Sequence, residues 1–380
     1  MPIEMHSRSR IPSLDGLRAL SIAIVICAHV CGTINLQFPP YTHKLSSFGA
    51  FGVKVFFVIS GYLITKLLLA EEARYGRISI GEFYLRRAFR IWPVAYAFIL
   101  VVALLKSLGV LSLPPHNLLF AATFTMNHVM EGAWWTGHLW SLAVEEQFYL
   151  VWPLIFLLCQ MRARVLICIW FILLSPAIRI GAYLYSPALF DSMQQSLLFL
   201  GNSIAIGCLL ALLEPHLLRS PALTGIIRSK WFLAVPFSAV LMYGISVSNL
   251  GNSYYVAGDS ICVLCIGATM WRVVHCQDFA FKILNTSFLM LIGRLSYSLY
   301  IWQQLFLNRD STAWINRFPQ NLVAAIAVSV LSYQFIELPF LRLRSRVPWV
   351  RRRVPIASSG LTGPRDSGRV IAEPADVLTN

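Results

Sequence analysis

Arg18 and His29 stand eleven residues apart in LDGLRALSIAIVICAHV, residues 14–30, an otherwise apolar run. An ionisable residue inside an apolar segment of membrane-spanning length is costly, so each is a functional candidate. On a helix, eleven residues make about three turns, which puts both side chains within about 20° of one face and about 16 Å apart. With Arg18 at one surface of a hydrocarbon core about 30 Å thick, His29 reaches near its middle. A base at the bilayer centre, in line with a cation at the mouth, is what chemistry across a membrane needs. Histidine suits general-base work because its ordinary pKa lies near neutrality. Asp15, one turn before Arg18, is a supporting candidate.

Four further stretches carry polar chemistry in apolar surroundings. In FFVISGYLIT, 56–65, Ser60 and Gly61 are small enough to let helices approach closely. In FYLRRAFRIWP, 83–93, Arg87 and Arg90 are three apart and share a helix face. Two forked guanidiniums on one face make a phosphate clamp, or alternatively a positive anchor at the membrane surface. In HLWSLAVEEQFYLVWP, 138–153, Glu145 and Glu146 are expensive unless partnered; Glu145 could orient a histidine or accept hydrogen bonds from a sugar. In LIGRLSYSLYIWQQ, 291–304, Arg294 could add a phosphate ligand or snorkel to the interface. Ser60 and Tyr297 are candidates to donate to a tetrahedral oxyanion.

These residues must be positioned by membrane helices. The chain is 57% hydrophobic and only 13% charged, which places it among polytopic membrane proteins. Ten apolar stretches have spanning length, near 18–38, 50–70, 92–112, 140–160, 164–185, 196–214, 230–248, 254–274, 288–307 and 320–341. With the N-terminus in the cytoplasm, 22 Lys and Arg fall in cytoplasmic segments and 3 in external loops. The positive-inside rule therefore predicts an all-α bundle with both termini inside, and it accounts for the net charge of +14 without a nucleic-acid partner.

Residues 1–345 read as the membrane-embedded domain. Residues 346–380, with Arg351, Arg352 and Arg353 followed by Gly, Pro and acidic residues, read as a disordered cytoplasmic tail near anionic lipid. The longest external connection, 113–139, has no Lys or Arg but carries His116, His128, His138, Trp134 and Trp135. Rings beside polar groups suit either sugar stacking or an interfacial aromatic belt. Cys262 and Cys265 form a CxxC inside an apolar segment without a second pair, so they read as packing, and no metal site is expected.

Taken in order, these motifs resemble the acyltransferase 3 family of integral membrane acyltransferases, over about residues 13–346. They are LDGLRA with Arg18 and then His29, FFVISGYL, Arg87-x-x-Arg90, WSLAVEEQFY, GRLSYSLY and SYQFIELPFLRLR. The resemblance implies a multi-pass enzyme of the bacterial inner membrane. It would move an acyl group, commonly acetyl, from cytoplasmic acyl-CoA to a hydroxyl of exopolysaccharide, O-antigen, peptidoglycan or lipo-oligosaccharide. It also implies essential roles for Arg18 and His29, with Arg87, Arg90 and Glu145 carried over from the matching motifs. Direct transfer and an acyl-histidine step both remain open.

Two departures stand out. Gln303 occupies a position where many members have histidine, which leaves His29 as the expected sole base. Leu338 replaces the usual Arg or Lys after Glu337, so that carboxylate lacks its expected neighbour. About 35 residues follow the last span, so no appended soluble domain is expected. The residues alone also admit a transporter or flippase of a glycan or lipid-linked intermediate, or a membrane scaffold; the lack of an internal repeat weighs against a transporter.

Overall fold

A computed structural model describes residues 11–31, 33–36, 47–129, 133–247 and 252–346. The expected disordered tail and its basic run lie outside the described residues. No strand occurs among the described residues. The long helices are α1 (Pro12–Val30), α2 (Phe48–Tyr75), α3 (Ile80–Ser107), α6 (Leu139–Leu158), α7 (Met161–Tyr185), α9 (Leu197–Arg219), α12 (Asn252–His275) and α14 (Ser287–Phe306). Shorter ones connect them: α4 (Pro115–Ala122), α5 (Trp134–Gly137), α8 (Pro187–Met193), α10 (Pro221–Arg228), α11 (Ala234–Val247) and α13 (Phe279–Leu284). A last bent rod runs through α15 (Gln320–Ser332), a π-helical turn (Tyr333–Glu337) and α16 (Leu338–Arg346).

Local sequence accounts for several boundaries. Proline opens α1, α4, α8 and α10, where a missing N–H costs nothing. Ser79 caps α3 and accepts from the Glu82 N–H; Ser196 does the same for α9 through Phe199. Gly76 closes α2 at φ 71°, a left-handed conformation that glycine adopts without strain.

Seven described helices are long and apolar enough to cross a membrane: α1, α2, α3, 134–158, α7, α9 and 320–344. The bent pair formed by α10 and 230–244, with a 67° break, would make an eighth. Ten were expected. The stretches 254–274 and 288–307 instead form α12 and α14, which are long helices of 24 and 20 residues but are not among the seven. In α14 the apolar character is diluted by Ser296, Ser298, Gln303 and Gln304, all buried. The surface has the opposite polarity to that of a water-soluble domain. Leu100 and Leu104 of α3 and Trp170 and Leu173 of α7 are exposed, while Asp15, Lys54, Arg179, Asp259 and Glu337 are buried. Lipid is the solvent that such a distribution matches.

Small residues set the tightest contacts. A Cβ at Gly61 of α2 would collide with the Ile204 carbonyl of α9, and one at Gly207 of α9 would collide with the Val58 carbonyl of α2. The backbones therefore touch reciprocally, as Ser60 and Gly61 predict. Gly293 of α14 meets the Asp15 carbonyl of α1 in the same way. The second contact between those helices joins His29 to Gln303, so α1 and α14 run parallel.

Ion pairs add fixed points away from these contacts. Arg164 binds both oxygens of Glu72 at 2.7 and 2.8 Å, tying α7 to α2. Asp259 of α12 takes Lys54 of α2 at 2.5 Å and also pairs with Arg179 of α7.

Gly207→Val forces a methyl-bearing carbon into the α2 backbone and should destabilise the fold by roughly 1–3 kcal/mol. Gly225→Ala faces open space inside α10 and should leave stability unchanged or slightly raised. Thermal unfolding of the detergent-purified variants checks both; equal midpoints would show that the α2–α9 contact yields freely.

Candidate active site

His29 sits in the last turn of α1. Its Nδ1 is 2.8 Å from Gln303 Oε1, and its ring packs edge-on against Trp134 at 5.5 Å. Its Nε2 turns toward α2, where a Cβ built on Gly49 would lie 3.7 Å away. Here opens a cavity of about 350 Å³, lined among others by His29, Gly49, His138, Trp140, Tyr300 and Gln304. Met126 and Val129, from the 113–139 connection, also line it. That connection thus forms part of the cavity wall.

The wall is held by side chains bonded to backbone. His138 Nε2 donates to the Ile301 carbonyl at 3.1 Å, because a carbonyl can only accept. Tyr300 donates to the His138 carbonyl at 2.9 Å. Trp134 Nε1 donates to the Gln304 carbonyl at 2.9 Å, locking the short α5 turn onto α14.

The arginines gather elsewhere, around α6. Arg18 lies 4.0 Å from Asp15, and Arg90 and Glu145 are within electrostatic reach of it. Arg87 lies over the rings of Phe83 and Tyr149, at 5.7 and 5.5 Å. Its charge acts together with those of Arg18, Arg90 and Arg344. Among the described residues neither Arg87 nor Arg90 makes an ion pair, and Arg87 Nε is buried without a partner. Guanidiniums without an ion-pair partner have the chemistry to bind an anion.

Glu145 is placed in this cluster and away from the histidine's hydrogen bond. Ser60 and Tyr149 lie 2.5 Å apart, and Tyr149 donates to Glu145 at 3.2 Å. Tyr149 has one proton, so Ser60 donates to Tyr149 and Tyr149 to the carboxylate. The partner of His29 is Gln303. The two hydroxyls considered as oxyanion donors are both committed: Ser60 to Tyr149, and Tyr297 to the Ile91 carbonyl at 2.6 Å. Arg294 is exposed on α14 and takes no part in the described contacts of the cluster.

Glu337 is buried and accepts from Ser298 at 2.8 Å, with Arg90 and Arg18 acting on it electrostatically. The π turn at 333–337 carries it inward, a distortion that often marks functional positions. Its missing sequence neighbour is therefore replaced from other helices. Arg344 and Tyr149 were not singled out beforehand. Both lie inside quoted motifs, but only the packing reveals their place beside Arg87.

Comparison with known proteins gives a consistent picture. The chain is 29% identical over 376 residues to "O-acetyltransferase OatA" of Staphylococcus aureus (strain NCTC 8325 / PS 47), covering 88% of this chain and 58% of that protein. It is 29% identical over 366 residues to "Putative O-acetyltransferase SACOL0978" of Staphylococcus aureus (strain COL), covering 87% and 57%. The chain thus spans a little over half the length of these curated relatives. No solved structure matches it. The family described as Acyltransferase domain (Acyl_transf_3) matches residues 11–334, from the first turn of α1 into the π turn, and the chain belongs to that family.

Proposed function

We propose that this chain is a multi-pass O-acetyltransferase of the bacterial inner membrane. It takes an acetyl group from cytoplasmic acetyl-CoA and gives it to a hydroxyl of an exported or surface carbohydrate. The observation that carries this reading is the gathering of Arg18, Arg87 and Arg90 from two helices, with Arg87 and Arg90 left unpaired. The names of the relatives supply the acyl group. In this reading ten helices cross the membrane and both termini are cytoplasmic, which puts the arginine cluster toward the cytoplasm and the histidine cavity toward the outside.

The arginines hold the phosphates of the donor, and Glu145, bonded by Tyr149, keeps the guanidiniums ordered. The thioester reaches His29, while the acceptor hydroxyl comes through the cavity. His29 Nε2 takes the hydroxyl proton as the oxygen attacks the thioester carbonyl. The tetrahedral intermediate then breaks its C–S bond, and the departing thiolate receives that proton from the imidazolium. No carboxylate is needed on the histidine for this cycle, since the proton returns to the leaving group.

Arg87→Ala and Arg90→Ala should each weaken acetyl-CoA binding by about 10–100-fold, the loss of a charge-assisted contact of roughly 1.5–3 kcal/mol. Titration calorimetry on the purified full-length protein measures this, and unchanged affinity in both variants would remove the phosphate clamp. His29→Ala should bind acetyl-CoA normally yet restore no O-acetyl signal to surface carbohydrate in a deletion strain, as read by proton NMR. Full restoration would dismiss His29 as the base.

A further inference from the structure

Behind His29 runs a chain of three side chains ending on a main-chain oxygen. His29 Nδ1 is 2.8 Å from Gln303 Oε1, Gln303 Nε2 is 3.2 Å from Gln304 Oε1, and Gln304 Nε2 is 2.8 Å from the Trp134 carbonyl. The last contact dictates the rest. A carbonyl only accepts, so Gln304 must present its NH2 there. Its oxygen then faces Gln303, which must donate with its own NH2. That leaves the Gln303 oxygen toward His29, and an oxygen requires Nδ1 to carry the proton. Nε2, on the cavity side facing Gly49, is left with the free lone pair.

Both glutamines are buried, Gln303 with no exposed surface and Gln304 with 4%. Flipping either amide would set two acceptors or two donors against each other, at about 1–3 kcal/mol per unsatisfied group.

We propose that Gln303 is a positioning residue that holds the imidazole of His29 in the Nδ1–H tautomer, and that the Trp134 carbonyl sets this choice through Gln304. The polar partner of the base is therefore a neutral amide. The amide itself adds no charge beside the imidazole. The charged or titratable groups acting on it come from elsewhere: Arg309, after α14, which also donates to the Ala28 carbonyl at 2.5 Å, and His138, at the α5–α6 junction. On α2 the facing residue is Gly49, and on α1 itself Arg18 is three turns away.

This inference rests on the reading of His29 as the base, and one experiment separates the two. Full-length protein in nanodiscs is assayed for thiol release from acetyl-CoA, with water as acceptor, across pH for wild type and for His29→Ala, Gln303→Leu and Gln303→Glu. Wild type should exceed His29→Ala; equal rates would overturn the base reading itself and this inference with it. Gln303→Leu, which offers Nδ1 no acceptor, should lower kcat/KM by about 10–100-fold with the KM for acetyl-CoA unchanged. Gln303→Glu keeps an oxygen on Nδ1 and adds a negative charge that favours the imidazolium. It should stay active, with the acid limb of its kcat/KM profile moved to higher pH by about one unit or more. A merely structural glutamine would not move that limb. An unmoved limb in an active Gln303→Glu, or a Gln303→Leu rate equal to wild type, overturns the tautomer assignment while leaving His29 in place. Gln303→Glu as inactive as His29→Ala would also overturn it.

Discussion

The contact between the Asp15 carbonyl and Gly293 sets the register of α1 on α14, and much of the site follows from that register. Only glycine lets the two backbones come this close. Once they touch there, two parallel helices bring His29 level with Gln303 at their far ends. The near end holds Arg18 beside Asp15, within reach of residues from α3 and α6. In the proposed mechanism one helix thus serves both halves of the chemistry, a donor-binding end and a basic end about three turns apart.

A membrane solvent explains why these polar groups are found in the interior of the bundle. In hydrocarbon no water satisfies an exposed amide or charge, so such groups turn inward and pair with one another. The stripe on α14 from Ser296 to Gln304 is the clearest case, and it is the reason this helix looks less apolar than a lipid-facing span. The triad of Asp259 with Lys54 and Arg179 obeys the same rule outside the site. Buried charges of this kind add little net stability once desolvation is counted, but each partner becomes costly to remove. They specify which helices meet.

The site itself is divided by chemistry. Around α6, the Arg87 guanidinium lies over aromatic rings beside Arg18 and Arg90, with carboxylates near them, and in the proposed mechanism this end takes the phosphates of the donor. Around the cavity, imidazole, amide and hydroxyl groups and the Trp140 indole alternate with Val25, Val53 and Met126, and in the proposed mechanism the acceptor hydroxyl enters there. The 113–139 connection belongs to the second environment through Trp134, whose carbonyl ends the amide chain and whose indole packs on His29.

Much of this was legible in the chain itself. Apolar runs of spanning length determined an all-helical membrane bundle, because chain length and hydropathy act locally. The eleven-residue interval put Arg18 and His29 on one face through helix geometry alone, and three-residue spacing did the same for Arg87 and Arg90. Partner choice was not legible. Gln303 stood out only as a departure, Glu337 seemed to lack a neighbour, Glu145 seemed free to serve a histidine, and Ser60 and Tyr297 seemed free to donate. Each of these depends on a residue brought in by packing, such as Gln303 against His29, 274 positions away in sequence. Helix periodicity determines which side chains share a face; only the packed backbones decide what stands opposite that face, and in a water-poor interior that opposing atom dictates which polar group donates and which accepts.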